Sequence, residues 1–261
     1  MSVNIAVAGK GGTGKTSVSS LVIRYILKNG LGTILAVDAD PNSNLAESLG
    51  LEVRQTVGRI LNSFQGEKLN IPSGMTKEAY LEYQLNVAIT ESKNLDLVTM
   101  GRGEGPECYC YPNVVIRKLI DDWSKNYGYV VMDNEAGLEH LSRRTTQNID
   151  EMLMVSDHSV KGLRAVARVR DLVAELNLVI KRQSVIINQA ANGTVDPLLA
   201  GEMERLGITP AAIIPLDEEM QRYDLEQKPL FDLPDSSAAV TAVNNLMNTL
   251  LKQEITETQR R

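Results

Sequence analysis

The residues with the clearest chemical signature lie near the amino terminus of the chain. They form the run Gly9-Lys10-Gly11-Gly12-Thr13-Gly14-Lys15-Thr16, which fits the pattern G-x-x-x-x-G-K-[ST]. Glycines allow a tight turn that directs several backbone N–H groups at one point, and a helix that begins near Ser17 adds its positive end. We expect residues 11–17 to bind phosphate, with Lys15 on the outer phosphates and the Thr16 hydroxyl on Mg²⁺. The alternative is a glycine-rich turn without a ligand.

A second lysine, Lys10, lies inside the same loop. A phosphate loop needs no cation at that position, because Lys15 already serves the phosphates from within. We therefore expect Lys10 to point outward and to reach a nucleotide held by a facing subunit, as a lysine counterpart of an arginine finger. The alternative is a solvated loop lysine.

Three aspartates follow apolar runs that read as buried strands. Asp38 comes directly after residues 33–37, Asp40 lies two residues further on, and Asp133 ends the run 129–133. The carboxyl ends of parallel strands are where open α/β sheets bind ligands. We expect Asp38 and Asp133 to hold Mg²⁺ together with Thr16, and Asp40 to orient the attacking water. The alternative for Asp38 and Asp40 is a structural role as capping carboxylates.

The two cysteines of the chain, Cys108 and Cys110, lie in a segment that is rich in glycine and proline. In an extended loop, side chains two residues apart point the same way, so both sulfurs can bind one ion. Two thiolates fill half of a tetrahedral shell, and a two-fold dimer would supply the other half. Zn²⁺ or Ni²⁺ suits such a site. The alternative is a pair of reduced cysteines without a ligand.

Composition narrows the class of protein. The chain has 261 residues, a formal net charge of −6 and 4% aromatic residues. This acidic balance disfavours a broad nucleic-acid or membrane surface, so we expect neither of these partners. Two cysteines make no disulfide framework, and no apolar run approaches the ~20 residues of a membrane span. We therefore expect a protein of the reducing cytoplasm.

Alternating strand and helix patterns must position these residues. Apolar runs predict strands at 3–8, 33–37, 95–100, 129–133, 152–155, 184–187 and 211–215. Helical spacing predicts helices at 17–28, 45–49, 57–61, 77–84, 114–123, 139–144, 162–178 and around 240–251. This alternation predicts an α/β fold, a mostly parallel twisted sheet flanked by helices on both faces, as in P-loop NTPases. We expect one domain over residues 1–261, with a helical insertion at about 52–94.

Three segments carry a family resemblance. The loop with Lys10 resembles the deviant phosphate loop (deviant Walker A) of the MinD/ParA/nitrogenase-iron-protein class of dimeric ATPases, also called SIMIBI. Asp38-Ala39-Asp40-Pro41 resembles the switch I of that class, and residues 133–137 resemble its switch II. The resemblance covers nearly the whole chain. It implies an ATP sandwich dimer that hydrolyses ATP to ADP, in which Lys10 contacts the partner's phosphates and Asp40 positions the water.

The same resemblance implies adenine contacts. Asn188, Pro215 and Asp217 match positions that line the adenine in this class. From the residues alone, Asn188 and Asp217 are only polar groups at strand ends, and a structural role is the alternative.

A narrower resemblance concerns the client of the ATPase. Residues 133–144 and the Cys108-Tyr109-Cys110 segment resemble the CooC and AcsF group. This implies a homodimer that binds a metal ion through the Cys-x-Cys motif at its interface. It also implies a role in supplying nickel to carbon monoxide dehydrogenase or acetyl-CoA synthase. Two other functions stay open: a positioning or partitioning switch of the MinD or ParA kind, and an iron–sulfur reductase, whose cysteines are typically far apart.

Overall fold

The computed structural model describes residues 2–65, 71–102, 120–135, 148–176 and 178–258. Several sequence predictions lie outside these residues. They are the cysteine pair Cys108 and Cys110, the end of the predicted switch II, the helix at 139–144 and most of the helix at 114–123.

Within the described residues, eight strands form one sheet in the order β3-β4-β2-β5-β1-β6-β7-β8. Their bounds are β1 Val3–Gly9, β2 Ile34–Asp38, β3 Thr90–Ser92, β4 Leu95–Thr99, β5 Tyr129–Asp133, β6 Asn148–Ser156, β7 Val179–Ala190 and β8 Pro210–Pro215. All neighbouring strands pair in parallel except β3, which is antiparallel to β4. The predicted fold class is confirmed. The edge strand β3 was missed because its three residues, Thr-Glu-Ser, contain no apolar side chain.

Helices follow most of the strands. Their bounds are α1 Lys15–Lys28, α2 Asn44–Leu49, α3 Val57–Gln65, α4 Lys77–Val87, α5 Val160–Glu175, α6 Pro197–Arg205, α7 Glu218–Leu225 and α8 Ala238–Thr258. Residues 120–124 are also helical. Among the described helices, none combines the length and the apolarity needed to cross a membrane.

Two of these helices were not predicted, and both are short. Their sequences nonetheless carry start signals. Asp196 caps α6 by accepting from Leu198 N, and Pro197 occupies the first turn. Asp217 caps α7, whose first turn contains Glu218 and Glu219. An aspartate cap followed by proline or by acidic residues is typical of a helix amino terminus.

The central strand β1 supplies a buried layer to each face of the sheet. Ile5 and Val7 point to one face, where they join a core formed with α1, α2 and α8. Ala6 and Ala8 point to the other face, where they join a core formed with α3, α4 and α5. Burying one large aliphatic side chain stabilises the fold by about 1.5–3 kcal/mol, so these two layers fix the position of β1 firmly. The loop that follows β1 therefore starts from a rigid support.

Candidate functional site

The loop between β1 and α1 is closed by hydrogen bonds to its own carbonyl groups. The Thr13 hydroxyl donates to Lys10 O at 2.8 Å, and the Asn188 side-chain amide donates to Thr13 O at 2.9 Å. Gly14 precedes α1 with φ of 86°, in the left-handed region that glycine adopts at low cost. The first turn of α1 thus opens onto this loop, which is the arrangement that binds phosphate at a helix amino terminus.

The two lysines of the loop differ in exposure. Lys15 is buried, and its ammonium donates to Lys10 O at 3.3 Å, across the mouth of the loop. Lys10 is exposed, and its side chain makes no hydrogen bond or ion pair with any part of the chain that the structure describes. The buried ammonium is therefore placed to serve an anion in its own loop. The exposed ammonium has no such contact within the described part of the chain.

Asp38 and Asp133 lie side by side at the carboxyl ends of β2 and β5, where they are register partners. Both are almost fully buried, at 0% and 1% exposure. The Thr16 hydroxyl donates to Asp133 Oδ2 at 2.6 Å, and Asp38 accepts from the backbone N–H groups of Asp40 and Leu45, both at 3.1 Å. The three predicted magnesium ligands are thus brought into one cluster. Carboxylate and hydroxyl oxygens are the hard ligands that Mg²⁺ prefers, so the residues fit the ion.

Burial sets the electrostatics of this cluster. It raises the pKa of Asp38 to about 7, and the neighbouring carboxylate of Asp133 adds to that increase. Burial also raises the pKa of Asp133 to about 6, although hydrogen bonds from Thr16 and Ser19 and the charge of Lys15 oppose it. Two adjacent buried carboxylates repel each other unless a proton or a cation lies between them. A divalent cation would relieve this repulsion.

The cluster predicts a specific pH dependence of stability. A carboxyl group whose pKa is higher in the folded state stabilises the fold while it is protonated. This contribution to the unfolding free energy is complete below pH 3.8, the unfolded pKa, and it is lost as the pH rises through about 6 to 7. In the metal-free protein, the difference in unfolding free energy between wild type and Asp38→Asn should therefore change steadily between pH 5 and 7.5, with wild type relatively weaker at high pH. Adding Mg²⁺ should stabilise the wild type more at pH 7.5 than at pH 5. Chemical denaturation measures both effects, and a flat difference curve would contradict them.

Gly14 offers a matched test of the loop geometry. A Cβ added at Gly14 would lie 2.2 Å from the Asn188 side-chain nitrogen, whereas a Cβ at Gly12, which also has positive φ, meets nothing within 4 Å. Gly14→Ala should displace Asn188 from Thr13 O and lower the unfolding free energy by about 1–3 kcal/mol more than Gly12→Ala does. Its ATP affinity should fall at least about tenfold, measured by calorimetry. Equal stability of the two variants would show that Asn188 does not brace the loop.

The residues predicted to line adenine have contacts of their own. Asn188 is buried against the loop, as described above, and Pro215 ends β8 beside Ala190. Asp217 is buried, and both of its oxygens are used within the chain. Oδ1 accepts from the N–H groups of Glu219 and Met220, and Oδ2 accepts from the Ser237 hydroxyl at 2.6 Å and from Ala239 N at 2.9 Å. Although burial alone would raise the pKa of Asp217, these hydrogen bonds lower it. Asp217 therefore caps α7 and holds the start of α8.

Two residues of the site were missed by sequence reasoning. The Ser19 hydroxyl donates to Asp133 Oδ1 at 3.1 Å, so Thr16 and Ser19, one turn apart on α1, both donate hydrogen bonds to the same carboxylate. Their i, i+3 spacing was a usable signal. Asn134 is buried, and its amide donates to Val7 O at 2.9 Å, while its Oδ1 has no hydrogen-bond partner within the described part of the chain. The resemblance of residues 133–137 to switch II included Asn134, but nothing in the sequence predicted its contact with Val7.

Asp40 and the cysteines complete the list of predicted site residues. Asp40 is partly exposed beyond the carboxyl end of β2, and its Oδ1 accepts from Asn42 N at 2.8 Å. Among the described residues, no group of three or more His, Cys, Asp and Glu side chains could hold a metal ion. Cys108 and Cys110 are not among those residues.

A glycine-rich loop before α1, with two buried aspartates at the carboxyl ends of the neighbouring parallel strands β2 and β5, is typical of a P-loop nucleotide-binding protein. The family model of the CobQ/CobB/MinD/ParA nucleotide binding domain matches residues 5–230, and the chain belongs to that family. The chain is an ATPase.

Individual relatives are similar over nearly their full lengths. An uncharacterised ATP-binding protein of Methanocaldococcus jannaschii is 40% identical over 252 residues, which cover 96% of this chain and 99% of that protein. The carbon monoxide dehydrogenase accessory protein CooC of Rhodospirillum rubrum is 25% identical, with 96% and 97% covered. Among solved structures, a ParA family ATPase of Chlorobium tepidum superposes with a TM-score of 0.72 at 20% identity, covering 94% of this chain and 96% of that one. The septum site-determining protein MinD of Pyrococcus horikoshii, in complex with Mg-ADP, gives 0.68 at 21% identity, with 94% of each chain covered.

Proposed function

We propose that this chain is a Mg-ATP-dependent dimeric switch that binds a metal ion, Zn²⁺ or Ni²⁺, and assists nickel insertion into carbon monoxide dehydrogenase or acetyl-CoA synthase. The observation that supports the dimeric switch is that the two lysines of one loop differ in burial. Lys15 is buried and its ammonium contacts its own loop, while Lys10 is exposed and its side chain makes no polar contact with the described residues. A dimer that buries the loop of one protomer against the other gives Lys10 a phosphate to contact.

Each residue of the site has a separate role in the proposed hydrolysis of ATP. Backbone N–H groups of residues 11–17 hold the phosphates, and Lys15 exchanges its contact with Lys10 O for the outer phosphates. Thr16, Asp38 and Asp133 hold Mg²⁺, which neutralises charge that develops on the phosphate oxygens. Asp40, partly exposed beyond the metal cluster, orients the attacking water. Asn188 keeps the loop closed. The family resemblance implies that Asn188, Pro215 and Asp217 lie beside the adenine, although the Asp217 oxygens already accept hydrogen bonds from α7 and from the start of α8.

The lysine in trans links hydrolysis to association. A cation from the partner stabilises the charge of the transferring phosphoryl group only while the two protomers are in contact. ATP therefore favours the closed dimer, and loss of the γ-phosphate removes the attraction for both copies of Lys10. The result is a two-state switch that is driven by nucleotide turnover.

The metal function rests on two supports. One is the Cys-x-Cys spacing of Cys108 and Cys110, which on a two-fold axis gives four thiolates around one ion. The other is the 25% identity, over 96% of this chain, to a carbon monoxide dehydrogenase accessory protein. The client enzyme is accordingly carbon monoxide dehydrogenase or the related nickel enzyme acetyl-CoA synthase.

A positioning or partitioning switch is the second candidate. It is favoured by the likeness to septum site-determining MinD proteins, such as that of Bacillus subtilis at 21% identity over 96% of this chain. A net charge of −6 gives such a switch no broad attraction to DNA or to an acidic lipid surface.

Metal binding by the cysteine pair distinguishes the two proposed functions experimentally. Wild-type protein should bind about one Zn²⁺ or Ni²⁺ per two chains, and Cys108→Ser should abolish that binding, because two thiolates of a four-thiolate shell are lost per dimer. The matched control is Tyr109→Phe, which changes the residue between the two cysteines. Elemental analysis after gel filtration measures metal content, and light scattering measures mass. Unchanged metal content in Cys108→Ser, or DNA or vesicle binding by metal-free wild type, would favour the positioning function.

A further inference from the structure

A cleft beside α2 and α3 is lined by arginines without an acidic partner. It has a volume of about 820 Å³, and Arg54, Arg59 and Arg102 are among the residues that line it. All three residues are exposed, and none of them forms an ion pair within the part of the chain that the structure describes. The chain as a whole carries a net charge of −6, so this group of arginines is a local positive exception.

Backbone packing holds two of these arginines on neighbouring segments. Gly58 N donates to Met100 O at 2.8 Å, and a Cβ added at Gly58 would lie 2.2 Å from Arg102 O. Arg59 and Arg102 thus belong to two segments whose backbones are in contact, and both line the same cleft. Arg102 donates from Nη2 to Asn42 Oδ1 at 3.3 Å, and this neutral acceptor leaves the positive charge uncompensated. Two like charges in one cleft favour an anion between them, and guanidinium groups bind carboxylates through paired N–H donors.

The glutamates near these arginines lie at the margins of the cleft. Glu47 also lines a neighbouring cleft at the start of α1, and Glu52 also lines the cleft that contains Tyr83. Arg59 and Arg102 line neither of those neighbours. Among its described residues, the part of the cleft that is separate from both neighbours therefore contains two guanidinium groups and no carboxylate.

The cleft that contains Tyr83 continues from the first one and adds an apolar surface. It has a volume of about 670 Å³, and Tyr83 and Val87 of α4, which line it, are 55% and 54% exposed. Tyrosine is enriched at protein interfaces because it buries a large ring while its hydroxyl keeps a polar partner. The residues shared by the two clefts are Gly50, Leu51, Glu52, Arg54 and Gln55. Small-molecule sites have volumes of roughly 300–1,000 Å³, so the two clefts together exceed such a site and suit a segment of polypeptide.

We propose that the two clefts form a docking site for an acidic segment of a partner protein. Carboxylates of that segment contact Arg59 and Arg102, and its apolar side chains pack against Tyr83 and Val87. An extended segment points alternate side chains the same way, so a short stretch of chain can present both kinds of group. The charge complementarity is local, because a net charge of −6 gives an acidic chain no attraction to the surface as a whole. This inference goes beyond the proposed function, since docking requires neither a bound metal nor hydrolysis.

Peptide selection tests the docking site without a known partner. Wild-type protein is saturated with Mg-ADP, so that the phosphate loop is not available to acidic peptides, and is exposed to a display library of random peptides. The retained peptides should be enriched in Asp and Glu relative to the unselected library, and fluorescence anisotropy then measures their affinity. Arg59→Ala combined with Arg102→Ala should weaken binding at least about tenfold. Arg168→Ala, which removes an exposed arginine of α5, is the matched control and should leave the affinity unchanged.

Two further measurements separate the contribution of charge from that of packing and of the fold. Tyr83→Ala should weaken peptide binding about threefold to tenfold and leave its dependence on salt unchanged, whereas the double arginine variant should lose most of that dependence. Both arginines are exposed and form no ion pair within the described residues, so urea denaturation of the double variant should match wild type.

The same measurements contain the results that contradict the docking site. Selected peptides without acidic enrichment, or acidic peptides that bind the double variant as tightly as wild type, would overturn the proposal. Binding of succinate or inorganic phosphate as tightly as the selected peptides would overturn it by assigning the clefts to a free anion. Loss of the Mg-ATP-dependent dimer in the double variant, measured by light scattering, would overturn it by assigning them to a second copy of the chain. Peptide affinity depends on neither metal content nor the rate of hydrolysis, so its failure leaves the proposed function intact.

Discussion

Replacing Lys10 by alanine is expected to lower the kcat of ATP hydrolysis at least about 100-fold while ATP affinity stays within about threefold. The reason is the difference in burial between the two loop lysines. Lys15 is buried and directed into its own loop, so it retains the ground-state contacts to phosphate. Lys10 is exposed, and in the proposed dimer it acts only when a second protomer presents its nucleotide. Its loss therefore removes an interaction made in the transition state.

The control for this variant is another exposed lysine. Lys77 begins α4, far along the chain from the loop, and Lys77→Ala should hydrolyse ATP at the wild-type rate. Lys10→Arg, which keeps the positive charge, should retain a measurable share of the activity. Steady-state phosphate release measures kcat, and calorimetry measures ATP affinity. A parallel loss of affinity and kcat in Lys10→Ala would instead place this lysine in its own loop.

Asp133→Asn is expected to abolish hydrolysis, with kcat at least about 100-fold lower, and yet to stabilise the metal-free protein. Asp133 is buried next to Asp38, and burial raises its pKa to about 6, so its charge at neutral pH opposes folding. An amide of the same shape removes that charge, with its oxygen accepting from one of the Thr16 and Ser19 hydroxyls and its NH2 group donating to the other after that hydroxyl rotates. The unfolding free energy at pH 7.5 should therefore rise by about 1–2 kcal/mol.

Asp217→Asn is the contrasting control, because Asp217 is also a buried carboxylate at a strand end. Its oxygens accept four hydrogen bonds that lower its pKa, so here the ionised form is favoured by the fold. This variant should lose about 1–2 kcal/mol of unfolding free energy. Urea denaturation without Mg²⁺ or nucleotide measures both variants. Destabilisation of Asp133→Asn at pH 7.5 would show that its charge is compensated within the chain.

The fold was predictable because its strongest signals are local and repeated. Continuous apolar runs such as 129–133 and 184–187 predicted strands that the structure contains. Apolar residues at helical spacing between these runs predicted the larger helices. The elements that were missed, β3, α6 and α7, are three to nine residues long. Short elements are fixed by caps and by tertiary contacts, which apolar periodicity does not register.

The candidate site was predictable where its motif fixes the backbone. Residues 10–14 form the expected loop, and α1 begins at Lys15, two residues before the predicted start. Parallel pairing brought Asp38 and Asp133 together because the carboxyl ends of β2 and β5 are adjacent. The hydrogen bonds from Ser237 and Ala239 to Asp217, and the Asn134 oxygen that has no partner among the described residues, were beyond sequence reasoning. Both depend on elements distant in the chain, and a single sequence does not specify which distant groups meet.

The central claim is that each nucleotide site is completed by a lysine from a second copy of the chain, and mixing two inactive variants tests it most directly. Lys10→Ala and Asp40→Ala are purified separately, shown to be inactive, and combined in equal amounts with Mg-ATP. In a mixed dimer, the protomer with an intact Asp40 receives Lys10 from its partner, so one of the two sites is whole. Random pairing then predicts recovery to about a quarter of the wild-type rate. A mixture as inactive as its components, under conditions in which light scattering shows dimers, would contradict the account.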